Sequence, residues 1–527
     1  MAVAVLRPAS ATRPPGLVGS AIAVAAVALL PVAYLVIRVA TAGEVAWAAV
    51  TSASALAALG RTVALAAAVT ATTLALGVGL GWLTSRTSLP GRRLWAVLLA
   101  LPLAVPSYVG AFTFIGFFGP GGILPDLVGS DRGWAPFGFG GAWAALSLFT
   151  YPYVLLPVRA ALARMDRGQE ETARGLGASG WKVFRRVTLP QLRPAIVAGG
   201  LVAGLYAISD FGAVSLLRYD SLTRVIFIQY QTAFDRTTAA ALALLLVVVA
   251  VAALAAEQGA RGRARYHARA ARRPAAVLPL GRWRWPAMVA CAAVALAGLG
   301  VPLVVMVSWL VRDLLGAAAS LSGLGRAALH SVTASGLAAG AAVAASIPVA
   351  GLIVRYPARV TDLVERSVYS GLGLPGISIA LALVFFAARY ATPIYQTLAL
   401  LVFAYVLRFL PQAVGAARTS LGQVNPHTEE SARSLGARPL AVLRRVTLPQ
   451  IAPGLVAGAF LVWLTAMKEL PMTLLLGPAG FDTLATQLWS HATAGFLARA
   501  AAPALVLVVV SGIPLALMAL RREVRPE

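Results

Sequence analysis

Long apolar runs recur along the whole chain, about twelve of them, separated by short loops rich in arginine. A helical run of ~18 or more apolar residues matches the ~30 Å hydrocarbon thickness of a bilayer. Lipid offers backbone groups no partner, so each run must satisfy its own hydrogen bonds as a helix. The other solution, a closed barrel, needs short segments of alternating polarity, and the sequence has none. With 59% hydrophobic and 12% charged residues, the chain reads as an all-α membrane protein of about twelve spans. In the first half these fall at roughly 20–40, 61–84, 95–117, 141–163, 194–217 and 238–257. In the second they fall at roughly 286–310, 330–354, 367–388, 396–417, 453–477 and 499–520.

The formal charge of +25 is spread over loops between spans, which argues against a nucleic-acid partner. Arginines crowd alternate loops: 86–93, 159–193, 261–284, 355–366, 418–445 and the tail. The loops at 118–140 and 389–396 are poorer in them. By the positive-inside rule this alternation puts both termini and every arginine-rich loop in the cytoplasm, against the lipid bilayer. Arg38 interrupts the approach to Ala40-Thr41-Ala42, so the first run reads as an uncleaved span rather than a signal peptide. The single cysteine, Cys291, and the scattered histidines His267, His330, His427 and His491 lack ligand spacing. No metal site, cofactor or catalytic residue is expected.

A second constraint is a duplication. Glu170 to Gly199 reads EETARGLGASGWKVFRRVTLPQLRPAIVAG, and Glu429 to Gly458 reads EESARSLGARPLAVLRRVTLPQIAPGLVAG. About two positions in three are identical, without a gap, some 260 residues apart, a period that means a duplicated domain. The expected organisation is an N-terminal segment with the first span (1–57), a first domain (58–257) and a basic cytoplasmic linker (258–285). A seventh span with an external loop (286–325), a second domain (326–520) and a cytoplasmic tail (521–527) follow.

The repeated stretch is the most polar part of each half. Glu170 and Glu171 open a short helix whose dipole they suit. Gly177 permits a turn or a close backbone approach, and Thr188-Leu189-Pro190 stops the segment before the next span. Such a helix–turn–helix suits a groove in a soluble partner. Two parallel six-span halves also fit an ion-coupled secondary transporter, whose constraint would lie in broken mid-membrane helices. A non-transporting assembly factor, with no cavity between the halves, is a third reading. A phosphate-binding loop needs Gly-Lys-Ser/Thr, and the two lysines, Lys182 after Trp181 and Lys468 after Met467, fit none. An ATP-driven engine would therefore be a separate chain.

The pattern E-x-A-x-x-x-G, nine residues, then hydrophobic-x-L-P resembles the EAA loop of permeases in binding-protein-dependent bacterial ABC importers of type I. It occurs at Glu171, Ala173, Gly177, Val187, Leu189 and Pro190, and again at Glu430, Ala432, Gly436, Val446, Leu448 and Pro449. Thr172 and Ser431 stand where the motif usually has alanine. The resemblance implies that each loop is a coupling helix seated in one of two ABC ATPase subunits. It also implies that an extracytoplasmic solute-binding protein delivers the cargo to a bacterial inner-membrane path.

Beyond each loop the repeat aligns Asp210 with Glu469, and a small insertion aligns Asp220 with Asp482. A carboxylate within a span is costly, so Asp210 and Glu469 are candidates for the path or for structural pairing, Glu469 with Lys468 for example. Asp220 and Asp482 fall outside the spans, as solvated acids or docking contacts. The surrounding segments, SDFGAVSLLRYDSLTRVIF and MKELPMTLLLGPAGFDTLATQLW, resemble the ferric-iron branch of the fused permeases. Carboxylates suit hard Fe(III); thiamine, a phosphonate or a polyamine are the alternatives.

Overall fold

The computed structural model describes residues 14–129, 136–165, 167–261, 277–315 and 323–524. Helices dominate these, and the only β contact among the described residues is an isolated bridge between Thr87 and Leu278. Ten helical stretches are long and apolar enough to cross a bilayer, and Gly376–Tyr390 and Leu497–Ile513 are shorter apolar helices. Together they supply the twelve expected spans. The basic linker expected at 258–285 falls largely on 262–276, outside the described residues, as does the end of the tail.

The first half contains α1 (Pro15–Ala42), α2 (Ala53–Arg86), α3 (Ser107–Phe118), α4 (Phe139–Thr150), α5 (Pro152–Arg164) and α6 (Arg167–Gly175). It ends with α7 (Leu189–Ser209), α8 (Gly212–Leu216), α9 (Leu222–Gln231) and α10 (Arg236–Arg261). The second half repeats this order from α11 (Arg284–Ala295) and α12 (Val301–Leu315) through α13 (Leu324–Arg355), α14 (Gly376–Tyr390) and α15 (Leu398–Gln423). There follow α16 (Pro426–Ser434), α17 (Leu448–Ala466), α18 (Pro471–Leu476), α19 (Leu484–Thr493) and α20 (Leu497–Val524).

Apolar surface gains nothing by leaving lipid for another apolar helix, so these helices associate through close packing of small residues. Helix α13 shows how: Ala327, Ser331, Ser335, Ala338, Ala342 and Ser346 are buried small side chains along it, and the helix packs chiefly on α15 and α17. The halves also exchange arms. Helix α1 packs on α13 and α14 of the other half, with the Tyr34 hydroxyl donating to Phe385 O at 3.3 Å. Conversely, α12 packs on α3, where a Cβ on Gly116 would lie 2.8 Å from Val305 and 2.9 Å from Trp309. One buried core accordingly draws Phe112 and Phe211 from the first half and Leu381 and Leu476 from the second.

Besides α4–α5 and α11–α12, which each run on as one helical stretch, four expected spans are broken, shifted or end early. The run at 95–117 is a short helix at Arg92–Leu98, a 3-10 turn at Leu101–Ala104, and then α3. Pro102 and Pro106 break it, because each lacks an N–H and disfavours helix in the residue before it. Pro375 separates Arg359–Tyr369 and its 3-10 turn from α14 in the same way, so the run expected at 367–388 is shifted. The runs at 194–217 and 453–477 end early, α7 at Ser209 and α17 at Ala466, before the short helices α8 and α18. Irregular backbone at membrane depth survives only where protein buries it or a cavity needs it. Here α8 packs on α3 and α18 on α14, so the breaks meet inside the bundle. Broken mid-membrane helices are therefore present, so this feature does not by itself separate an ABC permease from a secondary transporter.

Candidate functional site

The two repeated loops adopt one conformation. Helix α6 ends in a reciprocal cap: Gly177 N–H donates to Arg174 O at 2.9 Å and Ala178 N–H to Ala173 O at 3.0 Å. Helix α16 ends likewise, with Gly436 N–H to Arg433 O at 2.9 Å and Ala437 N–H to Ala432 O at 3.1 Å. The cap puts its glycine in the left-handed region, and φ is +78° at Gly177 and +80° at Gly436. A Cβ there would touch nothing within 4 Å, so backbone conformation, not packing, requires glycine.

Thr188-Leu189-Pro190 does not stop the segment. The chain is helical from Gly180 to Ser209, with a π turn at Phe184–Thr188. The second copy does the same at Leu443–Thr447. Pro190 and Pro449 cannot donate, and the ladder absorbs the missing bond by widening to i→i−5 just before them.

Of each glutamate pair, the first is the buried one. Glu170 is 3% exposed and Glu429 7%. Glu170 Oε1 accepts from Arg86 Nη2 and from the Thr188 hydroxyl, both at 3.0 Å. Glu429 Oε1 accepts from Arg355 Nη2 at 3.1 Å and Thr447 at 3.0 Å. Each loop is thus fastened to the last residue of α2 or α13. The motif glutamates Glu171 and Glu430 are exposed, Glu430 facing His427 Nδ1 at 3.0 Å. Ala173 and Ala432 are half-buried, as are Leu189 and Leu448; Pro190 is half-buried and Pro449 exposed. Beside the glycines stand two apolar knobs that composition did not single out, Leu176 at 84% and Leu435 at 88% exposure. Trp181 and Leu440 stand exposed in matching positions.

At the centre, the aligned acids Asp210 and Glu469 come together from opposite halves, both buried and within electrostatic reach of each other. Asp210 is fully engaged. Its Oδ1 caps α8 by accepting from Ala213 N–H at 2.9 Å and Val214 N–H at 3.3 Å, while Ser107 donates to Oδ2. Glu469 pairs not with Lys468 but with Arg408, Nε to Oε2 at 3.5 Å, and its Oε1 has no hydrogen-bond partner. Lys468 instead reaches across the interface, Nζ donating to Leu103 O at 3.2 Å, while the Tyr108 hydroxyl donates to Lys468 O at 3.3 Å. Tyr206 and Tyr405 border the same region.

Asp220 and Asp482 lie at the end of the bundle opposite the loops. The Leu222 N–H donates to the Thr62 hydroxyl at 2.8 Å, and the Leu484 N–H to Ser331 at 2.9 Å. Thr62 is 24 residues from Arg86 on α2, ~36 Å at 1.5 Å per residue. Asp220 is paired with Arg224 and lies 3.8 Å from Arg61, and Asp482 O faces His330 Nδ1 at 2.9 Å. Among the described residues no three His, Cys, Asp or Glu side chains form a metal-holding group.

Residues 73–259 and 336–521 each match the profile of the binding-protein-dependent transport system inner membrane component. The chain is 34% identical to the Fe(3+)-transport system permease protein FbpB 2 of Haemophilus influenzae, over 87% of this chain and 89% of that one. Identity to the sulfate transport system permease protein CysW of Escherichia coli is 33%, over 32% of this chain and 61% of the relative. For the molybdenum transport permease ModB of Escherichia coli it is 32%, over 27% and 62%. The sulfate and molybdenum permeases match about a third of this chain or less, whereas the iron permease aligns through both halves. The chain therefore belongs to the family of binding-protein-dependent inner-membrane transport components, with the family's domain twice in one polypeptide, as a fused permease subunit of an ABC importer.

Proposed function

We propose that the chain forms the membrane path of a ferric-iron importer, driven by two ABC ATPase subunits and fed by an extracytoplasmic binding protein. The observation that carries the iron reading is the near full-length similarity to a permease whose name specifies Fe(3+). In this reading both termini and both repeated loops face the cytoplasm, as the arginine distribution favours. Domains at 58–257 and 326–520 form the two coupled halves, and each loop seats in one ATPase. The motif positions Glu171, Ala173, Gly177, Leu189 and Pro190, with Glu430, Ala432, Gly436, Leu448 and Pro449, shape the seated surface. Leu176 and Leu435 supply its apolar contact. Asp210 and Glu469 border the path, and Asp220 and Asp482 lie on the side that receives the binding protein.

The fastening of each loop supports this reading mechanically. A carboxylate tied to the end of a membrane helix moves with that helix, so a displacement imposed on the loop by an ATPase passes into α2 or α13. The test is to delete the gene, limit iron and restore growth with the chain. In parallel, the cognate binding protein is titrated with ferric iron, thiamine, a phosphonate and a polyamine. Normal growth of the deletion strain, with the binding protein selecting an organic solute, would reassign the cargo.

A further inference from the structure

The two central acids have aligned positions but different chemistry. Both oxygens of Asp210 are spent on Ser107 and on the first turn of α8, and the Thr223 hydroxyl donates to Asp210 O at 2.6 Å. Accepting a ligand would cost that corner of the fold. Glu469 does less of this: the Met472 N–H in the first turn of α18 reaches its carboxylate, while its Oε1 is buried with no hydrogen-bond partner. A buried carboxylate oxygen left unpaired is costly and needs a reason.

Its surroundings supply one. The position occupied by Ser107 at the start of α3 is Gly376 at the start of α14. A Cβ on Gly376 would fall 2.6 Å from Glu469 Oε1 and 2.7 Å from Arg408 Nη1. The missing side chain makes the space in which carboxylate and guanidinium meet. Arg408 holds a second partner, Nη1 donating to Leu374 O at 3.2 Å, so it can release Glu469 without becoming unpaired. Glu469 also lies within electrostatic reach of the Tyr108 and Tyr405 hydroxyls, so the donors gathered here are oxygens.

We infer that Glu469 Oε1 is a transit ligand for a hard trivalent cation, and that Arg408 is its resting counter-ion, exchanged for the cation as cargo passes. Oxygen donors without thiolate or imidazole select such ions over soft ones. The unmatched Oε1 keeps a ligand position open, while Arg408 keeps the empty site near neutral and the binding weak, as a path requires. The inference rests on the ferric-iron reading above.

Terbium(III), a hard trivalent ion whose emission is sensitised by nearby tyrosine and tryptophan, reports the site directly in the purified full-length chain. Glu469→Gln should weaken the sensitised binding about tenfold or more, and Arg408→Gln should tighten it by a similar factor. The double variant R408Q/E469Q carries no uncompensated charge. Assembled with its ATPases, it should hydrolyse ATP but lose ferric-iron uptake at least about tenfold. Terbium binding unchanged by Glu469→Gln, or iron uptake by the double variant within about twofold of the parent, would overturn the assignment. A parent assembly that carries no ferric iron fails the cargo reading instead, whatever terbium shows.

Discussion

Replacing Glu170 by alanine should release the first loop from the membrane bundle while the other glutamate of the pair, Glu171, is dispensable for anchoring. The Arg86 and Glu170 side chains are 2% and 4% exposed. Arg86 Nε and Nη1 already lack partners, so removing Glu170 strands a buried guanidinium. Breaking such a pair from one side costs about 3–5 kcal/mol. The Thr188 hydroxyl bond adds about 1 kcal/mol. Taking 3 kcal/mol, the amides of residues 167–178 should exchange with solvent roughly 150-fold faster, since each 1.4 kcal/mol is tenfold. In the second loop Arg355 is 18% exposed, so Glu429→Ala should cost roughly half as much. Glu171→Ala, at an exposed position, should shift exchange by less than about twofold. Removing the whole first pair, Arg86→Met with Glu170→Leu, should restore most of the protection, because no buried charge remains. Hydrogen exchange by mass spectrometry in nanodiscs reads all four variants. Equal effects of Glu170→Ala and Glu171→Ala would refute the claim that the first glutamate is the fastener.

Gly177→Val and Gly436→Val should each cost about 1–2 kcal/mol locally through backbone strain, with Asn tolerated better. Hydrogen exchange of the loop reads the strain; ATP hydrolysis measured against uptake should show the double valine variant uncoupled. Leu176→Asp with Leu435→Asp should leave the melting temperature nearly unchanged, since both side chains stand in solvent, yet prevent co-purification of the ATPase. Cysteines placed at 177 and 436 in a Cys291→Ser background should react with an impermeant maleimide only from the cytoplasmic side. A cysteine at 120 or 395 should react from the opposite side.

The spans and the duplication were legible because both are written in composition: apolar length sets a span, and identity at a fixed offset sets a repeat. What composition could not reveal was where apolar runs stop being helix. Pro102, Pro106 and Pro375 lie inside runs apolar enough to count as spans, and only their missing donors and steric demands break them. The loop motif was readable from Glu171, Gly177 and Leu189-Pro190, but the stop assigned to the proline was wrong, because a π turn carries the helix past it. The fastening role of Glu170 had a signal: it recurs as Glu429, and its partner recurs as Arg86 and Arg355, each the last residue of an aligned span. That pairing joins residues 84 positions apart, so no local pattern exposes it. The partner of Glu469 was misplaced for the same reason. Lys468 is adjacent in sequence, yet its ammonium is committed to Leu103 in the other half, and Arg408 arrives from α15.

The most direct test of the account is uptake by the complete assembly in proteoliposomes. Purified chain, its two ATPases and its binding protein are reconstituted, and radioactive ferric iron accumulated in the lumen is measured with and without ATP. ATP-dependent accumulation that needs the binding protein, and that vanishes when the ATPases are omitted, is the predicted result. Accumulation driven by an imposed proton or sodium gradient with the purified chain alone, and indifferent to ATP, would contradict it.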